Sequence, residues 1–130
     1  MAMTEEDFKK QLTSEEYHIL RERGTEAAFT GMYWNEKTKG MYQCRACGAE
    51  LFSSDAKFDS GTGWPSFTEP TNRAHVELKE DASHGMRRVE VRCKNCSSHL
   101  GHMFDDGPKE KGGKRYCINS ACLELEKRKK

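Results

Sequence analysis

The sequence predicts a mainly β protein with short helices confined to its N-terminus. Two observations carry that expectation. Helix-start and helix-stop signals fall only within the first 24 residues. From Met32 onward, short aromatic or β-branched runs alternate with Gly, Pro, Asn and Asp, the texture of a sheet-rich chain with many turns.

The helical part comes first. "TSEEYHILRERG" (13–24) opens with Thr13 and Glu16 at capping-box spacing, places Tyr17 and Leu20 on one face, and closes at Gly24. An earlier turn is expected between Thr4 and Leu12. The runs that follow are "MYW", "GMYQC", "ELF", "WPSF", "HVELKE", "RVEVRC" and "RYCIN". "RVEVRC" is the clearest strand, with Val89, Val91 and Cys93 alternating against Arg88, Glu90 and Arg92. "DDGPKEKGGK" (105–114) reads as an exposed loop. No repeat or second composition regime interrupts the chain, so residues 1–130 read as one domain, with an N-terminal extension over 1–12 and a solvated basic tail over 124–130.

Bulk properties narrow the function classes. Lys+Arg number 22 against Asp+Glu 21, so no polybasic face is implied and neither nucleic acid nor an anionic membrane is expected as a partner. No run approaches the ~20 apolar residues of a membrane span, and the acidic N-terminus lacks an apolar signal core. A cytoplasmic location and a monomer are expected, in a compartment where disulfides are seldom structural.

The six cysteines split into four plus two. "CRAC" (44–47) and "CKNC" (93–96) are C-x-x-C pairs, each able to aim two thiolates at one ion from a tight turn. Cys44, Cys47, Cys93 and Cys96 together predict one structural Zn2+, closed to water and substrate, that ties two distant parts of the chain together. A binding free energy on the order of ~10 kcal/mol would be a large addition to a thin core. A thioredoxin-like redox pair would need a βαβ context that the pattern lacks.

Cys117 and Cys122 fit no metal pair. If "KRYCIN" is a strand, Arg115, Cys117 and Asn119 share one face, and the cation favours thiolate, the reactive form of cysteine. The competing reading is a buried cysteine acting as a small hydrophobe. In "HLGHMF", His99 and His102 could supply a general acid or orient a substrate oxygen, or be satisfied histidines without a role in chemistry. "SGTGWPSF" (60–67) sets Trp64 and Phe67 on a glycine-rich loop, either tucked onto the core or lining an aromatic pocket.

Together these stretches resemble the methionine-R-sulfoxide reductase family, the B type. The family pattern of "GWPSF", "HLGH-x-F" and "R-[YF]-C-x-N-S" stands here as Gly63–Phe67, His99–Phe104 and Arg115–Ser120, and the likeness runs from "LTSEEYHILRERGTE" to about Leu123. The two C-x-x-C pairs match the zinc-containing subgroup. The resemblance implies two antiparallel sheets in a twisted, barrel-like arrangement. It implies reduction of the R epimer of methionine sulfoxide, free or in oxidised proteins under repair, to methionine. Carried over, Cys117 is the nucleophile and Trp64 the pocket for the sulfoxide methyl, with Phe104 nearby. His102 and Asn119 hydrogen-bond around the sulfoxide oxygen and thiolate. His99 and Arg115 fall within the matching catalytic motifs, and His84 of "SHGMRR" corresponds to a family position near the substrate.

The chemistry is consistent. Thiolate attack on the sulfoxide sulfur leaves methionine and a Cys117 sulfenic acid, which thioredoxin or another thiol can return to the thiol. One departure matters. Many members carry a resolving cysteine where this chain has Thr62, which leaves Cys122 as the possible resolving thiol. In a straight strand, five residues span ~16 Å and place Cys122 on the opposite face from Cys117, whereas a disulfide wants Cα atoms ~5.5 Å apart. The alternative is a one-cysteine enzyme with Cys122 as packing. Two other classes compete. A zinc nucleobase deaminase needs Pro directly before the C-x-x-C, and Arg92 stands there. A non-catalytic zinc module would leave Cys117, the histidines and Trp64 without a purpose.

Overall fold

A computed structural model describes residues 4–22, 24–58, 60–81 and 88–127. Two short helices precede nine strands: α1 (Glu5–Gln11), α2 (Ser14–Glu22), β1 (Gly40–Cys44), β2 (Glu50–Ser53), β3 (Lys57–Phe58), β4 (Ser66–Phe67), β5 (Val76–Asp81), β6 (Arg88–Cys93), β7 (His99–Phe104), β8 (Arg115–Ile118) and β9 (Leu123–Lys127). Both helices start on reciprocal caps. Thr4 and Asp7 exchange bonds at α1, and Thr13 and Glu16 do so at α2, as the spacing predicts. Among the described residues no helix is long and apolar enough to cross a membrane.

The strands form two antiparallel sheets, in the order β2-β1-β9 and β3-β4-β8-β7-β6-β5. Among the described residues no pairing closes either sheet, so the barrel-like closure implied by the resemblance is not part of the described fold. The solvated tail expected over 124–130 is corrected across its described part, 124–127, and residues 128–130 lie outside the described residues. Residues 123–127 are β9, paired with β1 from Leu123↔Cys44 to Lys127↔Gly40. Leu123 is fully buried and Leu125 packs against the core, and these alternate leucines were outweighed in the sequence by their charged neighbours.

Aromatic rings join the two sheets. Phe52 of β2 stacks on Phe67 of β4 at 4.5 Å, Tyr42 of β1 meets Phe67 edge-on at 5.2 Å, and Phe52 lies 5.8 Å from Tyr116 of β8. Phe67 therefore belongs to the core, while its neighbour Trp64 does not.

The C-x-x-C turns clip the sheets at one end. The first turn leaves β1 and the second leaves β6. They share a plan: Gly48 N–H donates to Cys44 O at 2.7 Å and Ser97 N–H to Cys93 O at 2.8 Å. The donor in each lies at positive φ, 80° for Gly48 and 63° for Ser97, the second being an unusual place for a residue with a side chain. Arg21 of α2 caps the second turn through Cys96 O at 2.8 Å.

Two substitutions probe the seam between the sheets. Phe67→Ala is expected to lower unfolding free energy by about 3–5 kcal/mol in urea titration. Tyr42→Phe is expected to leave it unchanged or raise it, because the buried Tyr42 hydroxyl has no hydrogen-bond partner among the described residues.

Candidate active site

Cys117 lies in β8 between β4 and β7. The register places Ser66 of β4 and His102 of β7 directly across from it. Two residues along, Arg115 faces Phe104. Directly opposed residues point to the same side of a sheet, so Cys117, His102, Arg115 and Phe104 share one face. They line a pocket of about 180 Å3 together with Trp64, Thr62 and Asn119. Thr25, Arg88, Gly101 and Ile118 complete the lining.

Trp64 reaches the pocket from a loop shaped by two glycines at positive φ, Gly61 at 74° and Gly63 at 89°. A Cβ on Gly63 would also strike the Phe29 ring at 2.7 Å. The indole is fixed by its Nε1–H, which donates to Glu26 O at 3.0 Å. Thr62 is set by other hydroxyls: Ser60 Oγ lies 2.8 Å from Thr62 Oγ1 and 2.7 Å from Ser66 Oγ.

The Arg115 guanidinium lies 4.5 Å over the Phe104 ring. Asp106 holds it in a two-point bond, accepting from Nε at 2.8 Å and Nη2 at 3.2 Å. That bond holds the Asp106 carboxyl below its ordinary range and the Arg115 pKa above its own. Cys117 is half-buried, and its pKa is raised from the ordinary 9.0. Burial is the main cause, and the Glu26 carboxyl adds to it; Arg115 and a hydrogen bond from Thr62 oppose it. The sequence expectation that Arg115 tips Cys117 toward thiolate thus holds in sign for the cation, but desolvation outweighs it.

His99 occupies a different place from His102. Residues three apart on a regular strand point to opposite faces. Here Gly101 pairs with Val91 but His99 with Arg92, so β7 carries an extra residue at Leu100. The bulge brings the two imidazoles edge-on at 5.4 Å. His99 is 2% exposed, does not line the pocket, and has Nδ1 2.7 Å from Glu90 Oε2. Glu90, expected on the polar side of "RVEVRC", is itself 2% exposed because His99 partners it.

Asn119 lines the pocket with its amide largely committed to backbone. Nδ2 donates to Leu100 O at 3.0 Å, and Oδ1 accepts from Glu26 N–H at 3.1 Å. Cys122 is fully buried, with Sγ 3.2 Å from His99 O. His84 lies outside the described residues. Sequence reasoning missed Glu26, Asp106 and Glu90. Each is one acidic residue among many, and no spacing singles it out.

Away from this pocket, the sulfurs of Cys44, Cys47, Cys93 and Cys96 all lie within 4.8 Å of one another. Cys44–Cys96 and Cys47–Cys93 are 3.8 and 3.6 Å apart. A tetrahedron with metal–sulfur bonds of about 2.3 Å has edges of about 3.8 Å, so the donor set fits a metal ion.

Residues 12–127 match the SelR domain family. Among curated proteins, the chain is 55% identical to a "Peptide methionine sulfoxide reductase MsrB" of Acinetobacter baumannii over 127 residues, covering 98% of this chain and 91% of the relative. The protein of that name from Leptospira interrogans is 55% identical over 124 residues, covering 95% and 94%. Among solved structures, the Mis18 'Yippee-like' domain superposes with a TM-score of 0.57 at 15% identity, over 71% of this chain and 99% of that one, a likeness of fold alone.

The geometry predicts how the pocket thiol titrates. Without substrate, the rate of Cys117 alkylation by iodoacetamide, read on its own peptide by mass spectrometry, should rise with an apparent pKa above 9.0. Arg115→Gln should move that midpoint higher and slow the reaction at pH 7 by about tenfold, the consequence of ~1 pH unit.

Proposed function

The chain belongs to the SelR domain family and is a peptide methionine sulfoxide reductase; from that premise we propose that it reduces the R epimer through a sulfenic acid on Cys117, in a fold clipped by one structural zinc. The observation that carries this reading is the placement of one half-buried thiol between an aromatic pair and an imidazole, all lining a single pocket. Trp64 and Phe104 take the S-methyl group. His102 and Arg115 address the oxygen.

The step balances as follows. The Cys117 thiolate attacks the sulfoxide sulfur, the S–O oxygen is transferred to Cys117, and a proton reaches that oxygen as the sulfur becomes a thioether. His102, directly across the ladder, takes the Cys117 thiol proton and delivers it to that oxygen. Substrate sulfur is reduced by two electrons and Cys117 is oxidised to sulfenic acid. Two equivalents of an external thiol then yield Cys117 thiol, water and a disulfide. Because burial keeps Cys117 protonated in the empty pocket, Arg115 and Thr62 are the groups that stabilise the thiolate when it forms. Asn119 braces the end of β8 and keeps Cys117 opposite His102. His99, held by Glu90, backs His102 edge-on and fixes its ring.

The one-cysteine route is the better supported. Cys122 is buried against His99 O, whereas Cys117 faces His102. Cys122 is not among the described residues that line the pocket with Cys117, so a sulfenic acid formed there faces no second thiol of this chain. We place Zn2+ on the four clustered cysteines, where it would hold the β1–β2 and β6–β7 turns together. It takes no part in the redox step, since four thiolates leave no open coordination position. A reducing cytoplasm, oxidised proteins or peptides as substrates, and thioredoxin or a small thiol as reductant complete the proposal.

Turnover of separated R and S epimers with dithiothreitol tests the reaction: activity on R alone is expected, and activity on S alone would overturn it. Cys117→Ser should abolish turnover with the melting curve retained. Cys122→Ala should keep activity within about threefold, and dimedone should trap one sulfenic acid on Cys117 after a single turnover. About one zinc per chain is expected by elemental analysis. Cys93→Ser should lose it and melt at a lower temperature.

A further inference from the structure

We infer that Glu26 is the positioning residue that sets the Trp64 wall at its distance from Cys117. The inference rests on the reading of Trp64 and Cys117 given under Proposed function. Glu26 belongs to no helix or strand, yet it is only 6% exposed. Three of its polar groups reach three separate parts of the pocket's frame. Its carbonyl accepts from the indole Nε1–H of Trp64 at 3.0 Å. Its N–H donates to Asn119 Oδ1 at 3.1 Å. Its side-chain Oε1 accepts from Ala121 N–H at 2.9 Å, in the 3-10 turn (Ser120–Cys122) that follows the nucleophile's strand.

The first two bonds are made by backbone, and any residue could make them. The third is made by the carboxyl, and it decides where that backbone sits. Losing it leaves the indole bonded to a segment held to the end of β8 by the N–H bond to Asn119 Oδ1 alone, without its tie to the turn that follows. The chain also makes room for this carboxyl. A Cβ on Gly31 would lie 2.2 Å from Glu26 Oε2 and 2.4 Å from Ser120 Oγ. The second oxygen, Oε2, is buried without a hydrogen-bond partner among the described residues. An unpaired buried acceptor is costly, and a site that needed only filling would favour an apolar side chain. The carboxyl is kept at that cost because its other oxygen holds the turn. Its nearness to the chemistry is independent of this: after burial, it is the next cause that pushes both Cys117 and Cys122 up.

A wall that receives a methyl group sets a size limit, so the test is discrimination. The quantity is the ratio of kcat/KM for the R epimers of methionine sulfoxide and its S-ethyl homologue, in wild type, Glu26→Gln, Glu26→Ala and Gly31→Ala, each with a melting curve. Glu26→Gln keeps an acceptor for Ala121 N–H and should hold the methyl preference within about twofold. Glu26→Ala should lose about tenfold or more in kcat/KM on the methyl substrate, chiefly through KM, and most of the preference. Gly31→Ala displaces the carboxyl without removing it and should lose the preference too; it decides the matter if Glu26→Ala does not fold. A folded Glu26→Ala or Gly31→Ala with wild-type preference overturns the inference, as does a Glu26→Gln that behaves like Glu26→Ala or a wild type indifferent to methyl and ethyl. A wild type inactive on both sulfoxides overturns instead the reading of the pocket on which it rests.

Discussion

The pairing of β7 with β8 in one register is the constraint on which the pocket depends. Cys117 stands opposite His102, and Arg115 opposite Phe104. A slip of one residue would send β8's pair to the far face of the sheet. Several features act against that slip. Gly101 admits the backbone of β8 so closely that a Cβ there would lie 2.0 Å from Cys117 O. Asn119 bonds Leu100 O with both its backbone and its side-chain N–H, at 3.0 Å each. β7 itself begins directly after the second cysteine turn, which fixes its starting point. The four-cysteine cluster thus lies outside the pocket but determines where one wall of it starts.

Charge in the pocket is set by opposing terms. Burial of Cys117 favours the thiol, and the Arg115 guanidinium favours the thiolate. Arg115 is pinned between the Phe104 face and Asp106, so its charge is delivered at a fixed place and not from a mobile arm. A thiol that is protected until a polar substrate fills the cavity is less exposed to adventitious oxidation than a standing thiolate. The same pinning explains why Lys would be a poor replacement, since only a planar fork meets Asp106 at two points while lying on a ring.

Much of this was legible in the sequence because it is local. The Thr13–Glu16 cap, the two C-x-x-C turns and the glycines around Trp64 announce themselves within a few residues. The grouping of Cys117 with Arg115 and Asn119 followed from strand periodicity alone. What escaped depends on contacts distant in sequence. Glu26 gains its role from Trp64, Asn119 and Ala121, far along the chain. Glu90 appeared as the polar half of an alternating strand, and only a bulge at Leu100 brings His99 round to bury it. β9 was hidden because Leu123 and Leu125 alternate with glutamates beside a basic run, and edge strands carry weak signals.

The position of β8 also bears on how the chain is built. It is the eighth of the nine described strands, yet it lies inside its sheet, flanked by β4 and β7. During synthesis the edges of β4 and β7 that face β8 stay unpaired until residues 115–118 emerge. Pairings of such wide sequence separation are slow to form. The pocket thiol Cys117 is therefore installed late in folding, into a groove whose two sides are already made, and a nascent chain that stops before β8 carries the four clustered cysteines but not that thiol.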